Sequence, residues 1–250
     1  MGKKASWLFV AMVGLLLVTA VAQAQVPLPK VTIGVEQAKD PKEVSQTLQI
    51  LLLMTILALA PSILIMMTSF TRIIIVFHFM RSALGTQSAP PNQILVGLAL
   101  FLTFFIMRPV INEVNTKALQ PYLNKNIGSQ AAWEAAEAPI KQFMLKHTKD
   151  KELELFIALS GEQPVTEPSA VKFSTVIPAF IISELKVAFQ IGFLVYLPMI
   201  LIDVIVASVL LSMGMMMLPP MMISMPLKIL LFVLVDGWYL IVESLVQGFR

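Results

Sequence analysis

Several stretches of this chain are too long and too apolar to belong to a water-soluble fold, and they constrain everything else. Residues 48–67 are apolar apart from short polar side chains, and about 20 such residues are enough to cross a hydrocarbon core roughly 30 Å thick. Pro61 falls inside this run and is expected to kink or break its helix. Residues 73–80 form a second apolar run between Arg72 and Arg81, with Gly85 placed to end the helix. Pro90 and Pro91 suit the first turn of the next helix, whose apolar run 94–107 is closed by Arg108 and Pro109. Residues 176–213 are too long for one simple span and are punctuated by Pro178 and Pro198, and 226–246 form the last helical stretch. Only 13% of the 250 residues are charged, against about a quarter in a soluble domain, so there is too little charge to cover a water-facing surface.

The N-terminus has the layout of an export signal. Lys3 and Lys4 precede an apolar run from Trp7 to Ala22, and Ala22-Gln23-Ala24 supplies the small residues of a cleavage site. Cleavage is expected between Ala24 and Gln25, which puts the mature N-terminus outside the cytoplasm. The expected organisation is a cleavable signal at 1–24, N-terminal helices and a first apolar hairpin at 25–111, a hydrophilic periplasmic helical region at 112–172, and a C-terminal apolar hairpin at 173–250. With four spans, both the 112–172 region and the C-terminus lie outside. Asp40, Pro41 and Glu43 form a compact helix start. In the hydrophilic region, Ile140, Phe143, Met144 and His147 repeat at helical spacing after Pro139 at the start. Leu153, Phe156 and Ile157 do so after Asp150 as a cap, with Gly161 as the stop. The fold class is therefore an all-α membrane-associated protein of kinked helical hairpins with a small extracytoplasmic helical segment.

Ionisable groups in or beside the apolar runs cost about 2.5–3.5 kcal/mol each at the bilayer centre, so they call for partners or polar surroundings. Arg72, Glu184, Lys186 and Asp236 are the candidates for buried polar roles, whereas Arg81 and Arg108 read as helix-end charges that snorkel. Glu184 and Lys186 are two residues apart and face different sides of a helix. If the last two stretches form a hairpin with its tip at Pro219–Pro220, Asp203 lies 16 residues from the tip and Lys228 lies 8. The mismatch is about 12 Å at 1.5 Å per residue, so a pair between neighbouring subunits is the expected arrangement.

Seven methionines crowd residues 213–225, among them Met213, Met215, Met216, Met217, Met221 and Met222, with Gly214, Pro219 and Pro220 interrupting the helix. Methionine fills irregular or changing gaps, and non-helical backbone at membrane depth is tolerated where it is buried in protein or lines a cavity. The segment suits a deformable apolar gasket; ordinary packing at a hairpin tip is the plainer alternative. Cysteine is absent and there are two histidines, which argues against thiolate or histidine metal sites. A net charge of +3 spread along the chain gives no nucleic-acid footprint. No nucleophile elbow, phosphate loop or paired catalytic carboxylate is present. The chain reads as a non-enzyme without cofactor or metal.

Three long segments carry a resemblance. MTSFTRIIIVFHFMRSALGTQSAPPNQILVGLALFLTFFIMRPV at 67–110, PAFIISELKVAFQIGF at 178–193 and IDVIVASVLLSMGMMMLPPMMISMPLKILLFVLVDGWYL at 202–240 resemble the FliP family of type III export systems. The resemblance implies a pentameric helical ring with two small membrane subunits, FliQ and FliR, and further export-apparatus proteins. That ring would lie in the bacterial inner membrane at the flagellar basal body and admit unfolded protein substrates. It also implies that Met215, Met216 and Met217 belong to the family's methionine loop, and that many hairpins sit above the membrane plane. The family has a flagellar and a virulence-injectisome branch, and the signal and the length are similar to the flagellar one. An ion-coupled transporter would instead use Asp203, Asp236 and Glu184 as a relay and show inverted repeats; the sequence shows no repeats.

Overall fold

The computed structural model describes residues 41–250 except Gln87, 162–169, Met216 and Arg250. The signal segment with Ala24 and Gln25, and the cap expected at Asp40, lie outside the described residues. The chain divides into two compact units, 1–53 and 54–250. The described part of the first is the opening of helix α1 (Pro41–Met66). All other elements belong to the second: α2 (Phe70–Ala83), α3 (Asn92–Val114), a π-helical turn (Asn115–Leu119), α4 (Gln120–Leu123), α5 (Ser129–His147), α6 (Asp150–Ser160), α7 (Phe173–Ser212), α8 (Pro220–Leu234) and α9 (Gly237–Gln247). No strand occurs among the described residues.

Among the described residues, three helical stretches are long and apolar enough to cross a membrane, namely Thr47–Met66, Asn92–Leu123 and Phe173–Ser212, or four if the bent pair α8–α9 is one span. Prolines interrupt fewer of them than the sequence suggests. Pro61 lies within an unbroken α1, Pro109 within α3, and both Pro178 and Pro198 within a continuous 40-residue α7. Pro139, expected to start a helix, sits in the middle of α5. A proline removes one backbone hydrogen bond, whereas ending a helix among apolar side chains strands several backbone groups. Continuing the helix leaves fewer groups unpaired. The stretch closed in expectation by Arg108 and Pro109 likewise runs on to Leu123. Pro90 and Pro91 both precede α3, with Pro91 at its N-cap, and Lys149, not Asp150, caps α6. Conversely, the single stretch expected over 226–246 is two helices bent by 62°, separated where Asp236 adopts a left-handed φ of 51°.

α2 is only 14 residues long, about 21 Å, too short to span a bilayer. It is a buried core helix. Ile73, Val76, Phe77, Met80, Ala83 and Leu84 fall on one face and are shielded almost completely. They pack against Leu95 and Ala99 of α3, Ala188 and Met199 of α7, Phe232 of α8 and Leu245 of α9. The approach of α2 to α7 depends on Gly192, where an added Cβ would lie 2.5 Å from the Phe79 ring. A second core brings the hydrophilic region onto the start of α7: Phe143 and Met144 of α5 and Leu153 of α6 pack with Val176, Ala179 and Phe180.

Candidate functional site

The two cores meet at a buried ion pair. Arg72 projects from α2 and Glu184 from α7, 112 residues away; Nε donates to one carboxylate oxygen at 2.8 Å and Nη2 to the other. The Arg72 and Glu184 side chains are 5% and 0% exposed. This bidentate fork satisfies both oxygens. Nη1 donates to the Gly248 carbonyl at 3.1 Å, and the guanidinium lies 3.8 Å from the centre of the Phe249 ring, a cation–π contact. Phe249 in turn stacks on Phe143 and meets His147 edge-on. The end of the chain is thus held against the point where α2, α5 and α7 converge.

Arg72 and Glu184 are buried, whereas Lys186 and Asp236 are exposed. Lys186 is 43% exposed and donates to Glu152 of α6 at 2.7 Å. Its ammonium holds the Glu152 carboxyl below the usual value, against an opposing effect of burial. Asp236 is exposed at the bend between α8 and α9. Glu184 and Lys186 therefore serve different partners, as two-residue spacing requires. Sequence reasoning missed Glu152, although it falls on the face of Leu153 and Phe156. It also missed Ser183, whose hydroxyl accepts from the Lys149 N–H and donates to the His147 carbonyl. For Phe249 the sequence held no signal.

Asp203 and Lys228, expected to be too far apart to pair within one chain, are within reach of each other there. Lys228 Nζ donates to Asp203 Oδ2 at 2.6 Å within one chain. The earlier mismatch came from placing the tip at the prolines. α7 ends at Ser212 and α8 begins at Pro220, so Asp203 is 9 residues (212 − 203) and Lys228 is 8 (228 − 220) from its own helix end. Equal depth puts them side by side. Reversing either charge is expected to cost stability, by less than the roughly 3–5 kcal/mol of a fully buried pair, because Asp203 is 37% exposed. The double swap D203K/K228D in one chain should restore membrane abundance, whereas co-expressing the two single variants should not. Rescue by co-expression would return the pair to the subunit interface.

His147 gives a pH dependence with a definite sign. Burial first, then the charges of Arg72 and Lys146, lower its pKa from 6.5 to about 4, and its Nε2 is buried without a hydrogen-bond partner. Below pH 6.5 the unfolded chain takes up a proton that the folded chain refuses until about pH 4, so stability falls as pH drops through that window. Thermal unfolding of the solubilised protein should show this loss between neutral pH and about pH 5, and H147Q should show less of it. An identical pH slope in H147Q would exclude His147 as the source.

The methionine segment is a tight turn. α7 closes with the Met215 N–H donating to the Leu210 carbonyl and the Gly214 N–H to Leu211, at 3.0 and 3.1 Å. Gly214 is left-handed at φ 72°. This is the Schellman arrangement, which glycine adopts without strain. Pro219 caps α8 and Pro220 opens it. The backbone is satisfied locally while the side chains stay uncovered: Met217 is 98% exposed, and Met213, Met215, Met221 and Met222 are exposed too. Met216 is outside the described residues.

Among the described residues no cluster of acids and histidines could hold a metal. Membrane-length helices, a polar helical region fastened to them by the Lys186–Glu152 ion pair, and an exposed methionine turn define the class: an all-α membrane protein. Residues 53–245 match the FliP family, and the chain belongs to that family. It is 56% identical to the flagellar biosynthetic protein FliP of Bacillus subtilis (strain 168) over 217 residues, covering 87% of this chain and 98% of the relative. It is 49% identical to the protein of the same name from Aquifex aeolicus (strain VF5), covering 82% and 86%, and 51% identical to that of Pectobacterium carotovorum subsp. carotovorum, covering 81% and 79%. Family membership, rather than the absence of a catalytic constellation, is what makes this chain a non-enzyme.

Proposed function

We propose that this chain is a core subunit of the flagellar type III protein export gate. Several copies, expected to be five, form an inner-membrane pore for unfolded flagellar substrates together with FliQ and FliR. Relatives named as flagellar biosynthetic proteins, matched over most of their length, favour the flagellar branch over an injectisome. The observation that supports the pore reading is the turn between α7 and α8, where backbone hydrogen bonds close α7 at Gly214 and Met215 and neighbouring methionines are uncovered. Five copies facing one axis would close a channel with flexible apolar side chains and still let a chain of varying width pass. The 40-residue α7 is about 60 Å long, twice a hydrocarbon core. Its first half carries Glu184, Lys186 and Gln190, bonded to α2, α6 and the α5–α6 junction. That half belongs with the polar region outside the bilayer, on the periplasmic side.

Complementation tests this reading. In a flagellated strain lacking its own FliP-family gene, this chain should restore export of flagellar subunits, and gentle extraction should yield a large complex containing FliQ and FliR. A small single-protein species, with export not restored, would overturn it and favour a transporter.

A further inference from the structure

The described methionines sort sharply by exposure. Met67, Met80, Met107, Met144 and Met199 are buried in the two cores or beside them, each at most 6% exposed. The exposed ones fall in two places. Met54 and Met66 lie in α1 at 58% and 48%, and the others lie between 213 and 225, where Met217 reaches 98% with Met213 and Met222 next in order. The chain has no cysteine, so a thioether sulfur is the softest nucleophile that an oxidant meets on it.

We propose that Met217, with Met213 and Met222, is the site of reversible oxidation of this chain by peroxide. Exposure of the sulfur selects these residues over Met80 and Met144, and depth selects them over Met54 and Met66. α1 belongs to a membrane-length apolar stretch, Thr47–Met66, whose side chains meet lipid rather than water. The first half of α7 carries the polar contacts of Glu184, Lys186 and Gln190, which leaves residues 193–212 for the bilayer. That is about 30 Å of helix, the depth of a hydrocarbon core, so the turn that follows comes out where water begins. Copies closing around one axis would still have water against the seal, and peroxide is hardly larger than water.

The chemistry needs only the thioether and the oxidant. A sulfur lone pair attacks one peroxide oxygen; the O–O bond breaks, an S–O bond forms, and the displaced hydroxide takes up the proton and leaves as water. Sulfur gives up two electrons and peroxide accepts them. The sulfoxide is polar and chiral, unsuited to an apolar seal. Methionine sulfoxide reductases restore the thioether with two electrons from a dithiol, one enzyme for each epimer. The consequence, a gate that leaks while oxidised, rests on the pore reading; the selectivity of oxidation does not.

The test is peptide mapping by mass spectrometry of membrane vesicles bearing the chain, after brief treatment with dilute hydrogen peroxide. One added oxygen should appear on the peptide holding Met217 several-fold ahead of those holding Met54, Met66, Met80 and Met144, and the two reductases should remove it. Sulfoxide spread evenly over these methionines, or formed on α1 before the turn, would overturn the site. So would a turn that is protected in vesicles and oxidised only after detergent extraction, which would mean that a second copy or another subunit covers it. Leakage is read in the same vesicles. Peroxide should raise it several-fold over the untreated level in wild type and in M54L/M66L, and far less in M213L/M217L/M222L, whose side chains keep their bulk without sulfur. An equal rise in M213L/M217L/M222L, or sulfoxide at the turn with unchanged leakage, would overturn the effect on the seal. The pore reading is decided separately by complementation, in which no oxidant takes part.

Discussion

Replacing Arg72 with alanine is expected to destabilise the protein by about 3–5 kcal/mol, because it leaves a fully buried carboxylate without its counter-charge. Glu184 is 0% exposed and both of its oxygens are bonded to the same guanidinium, so no water can take over. The loss would spread beyond the pair. Arg72 also holds the Gly248 carbonyl and supports the Phe249 ring, and Phe249 packs on Phe143 of the polar region. Thermal unfolding of the purified chain and its abundance in membranes should both drop sharply in R72A and in E184A. The double change R72M/E184L removes both charges and keeps volume, and it should recover most of the loss. A double variant as unstable as R72A would place the defect in the contacts to Gly248 and Phe249 rather than in the ion pair.

Trimming Met215, Met216 and Met217 together to alanine is expected to raise ion leakage through the membrane several-fold, while export is retained or only modestly reduced. An export gate must hold back ions between substrates and still pass chains of different width. Branched side chains would fit one width, whereas methionines can repack around many. The substitution leaves Gly214 and the turn's hydrogen bonds from Gly214 and Met215 to α7 in place, so these bonds should persist, as should the proposed ring. The measurement is conductance, or the salt sensitivity of cells expressing the triple variant. A complex that assembles normally and leaks no more than wild type would show that these methionines only pack.

The apolar runs, the membrane-length helices and the methionine turn were legible in the sequence because each is a local property. Composition decides whether a segment can meet lipid, and Gly214, Pro219 and Pro220 break a helix wherever they meet nothing that favours continuing it. The charges were legible only as a problem. Glu184 and Lys186 could be assigned to different faces, but not to Arg72 at 112 residues' distance or to Glu152 on another helix. Asp203 and Lys228 looked too far apart to meet within one chain, although they do, because one error in the position of the hairpin tip becomes a displacement of about 12 Å along the helices. The prolines show the same division from the other side. Proline's local preference is to end a helix, and Pro61, Pro178 and Pro198 lie inside continuous ones. What the chain must bury and where it can turn are legible in the order of its residues. Which buried charge meets which, and which prolines a helix carries through, follows only from the folded chain, since both depend on groups brought together from distant parts of it.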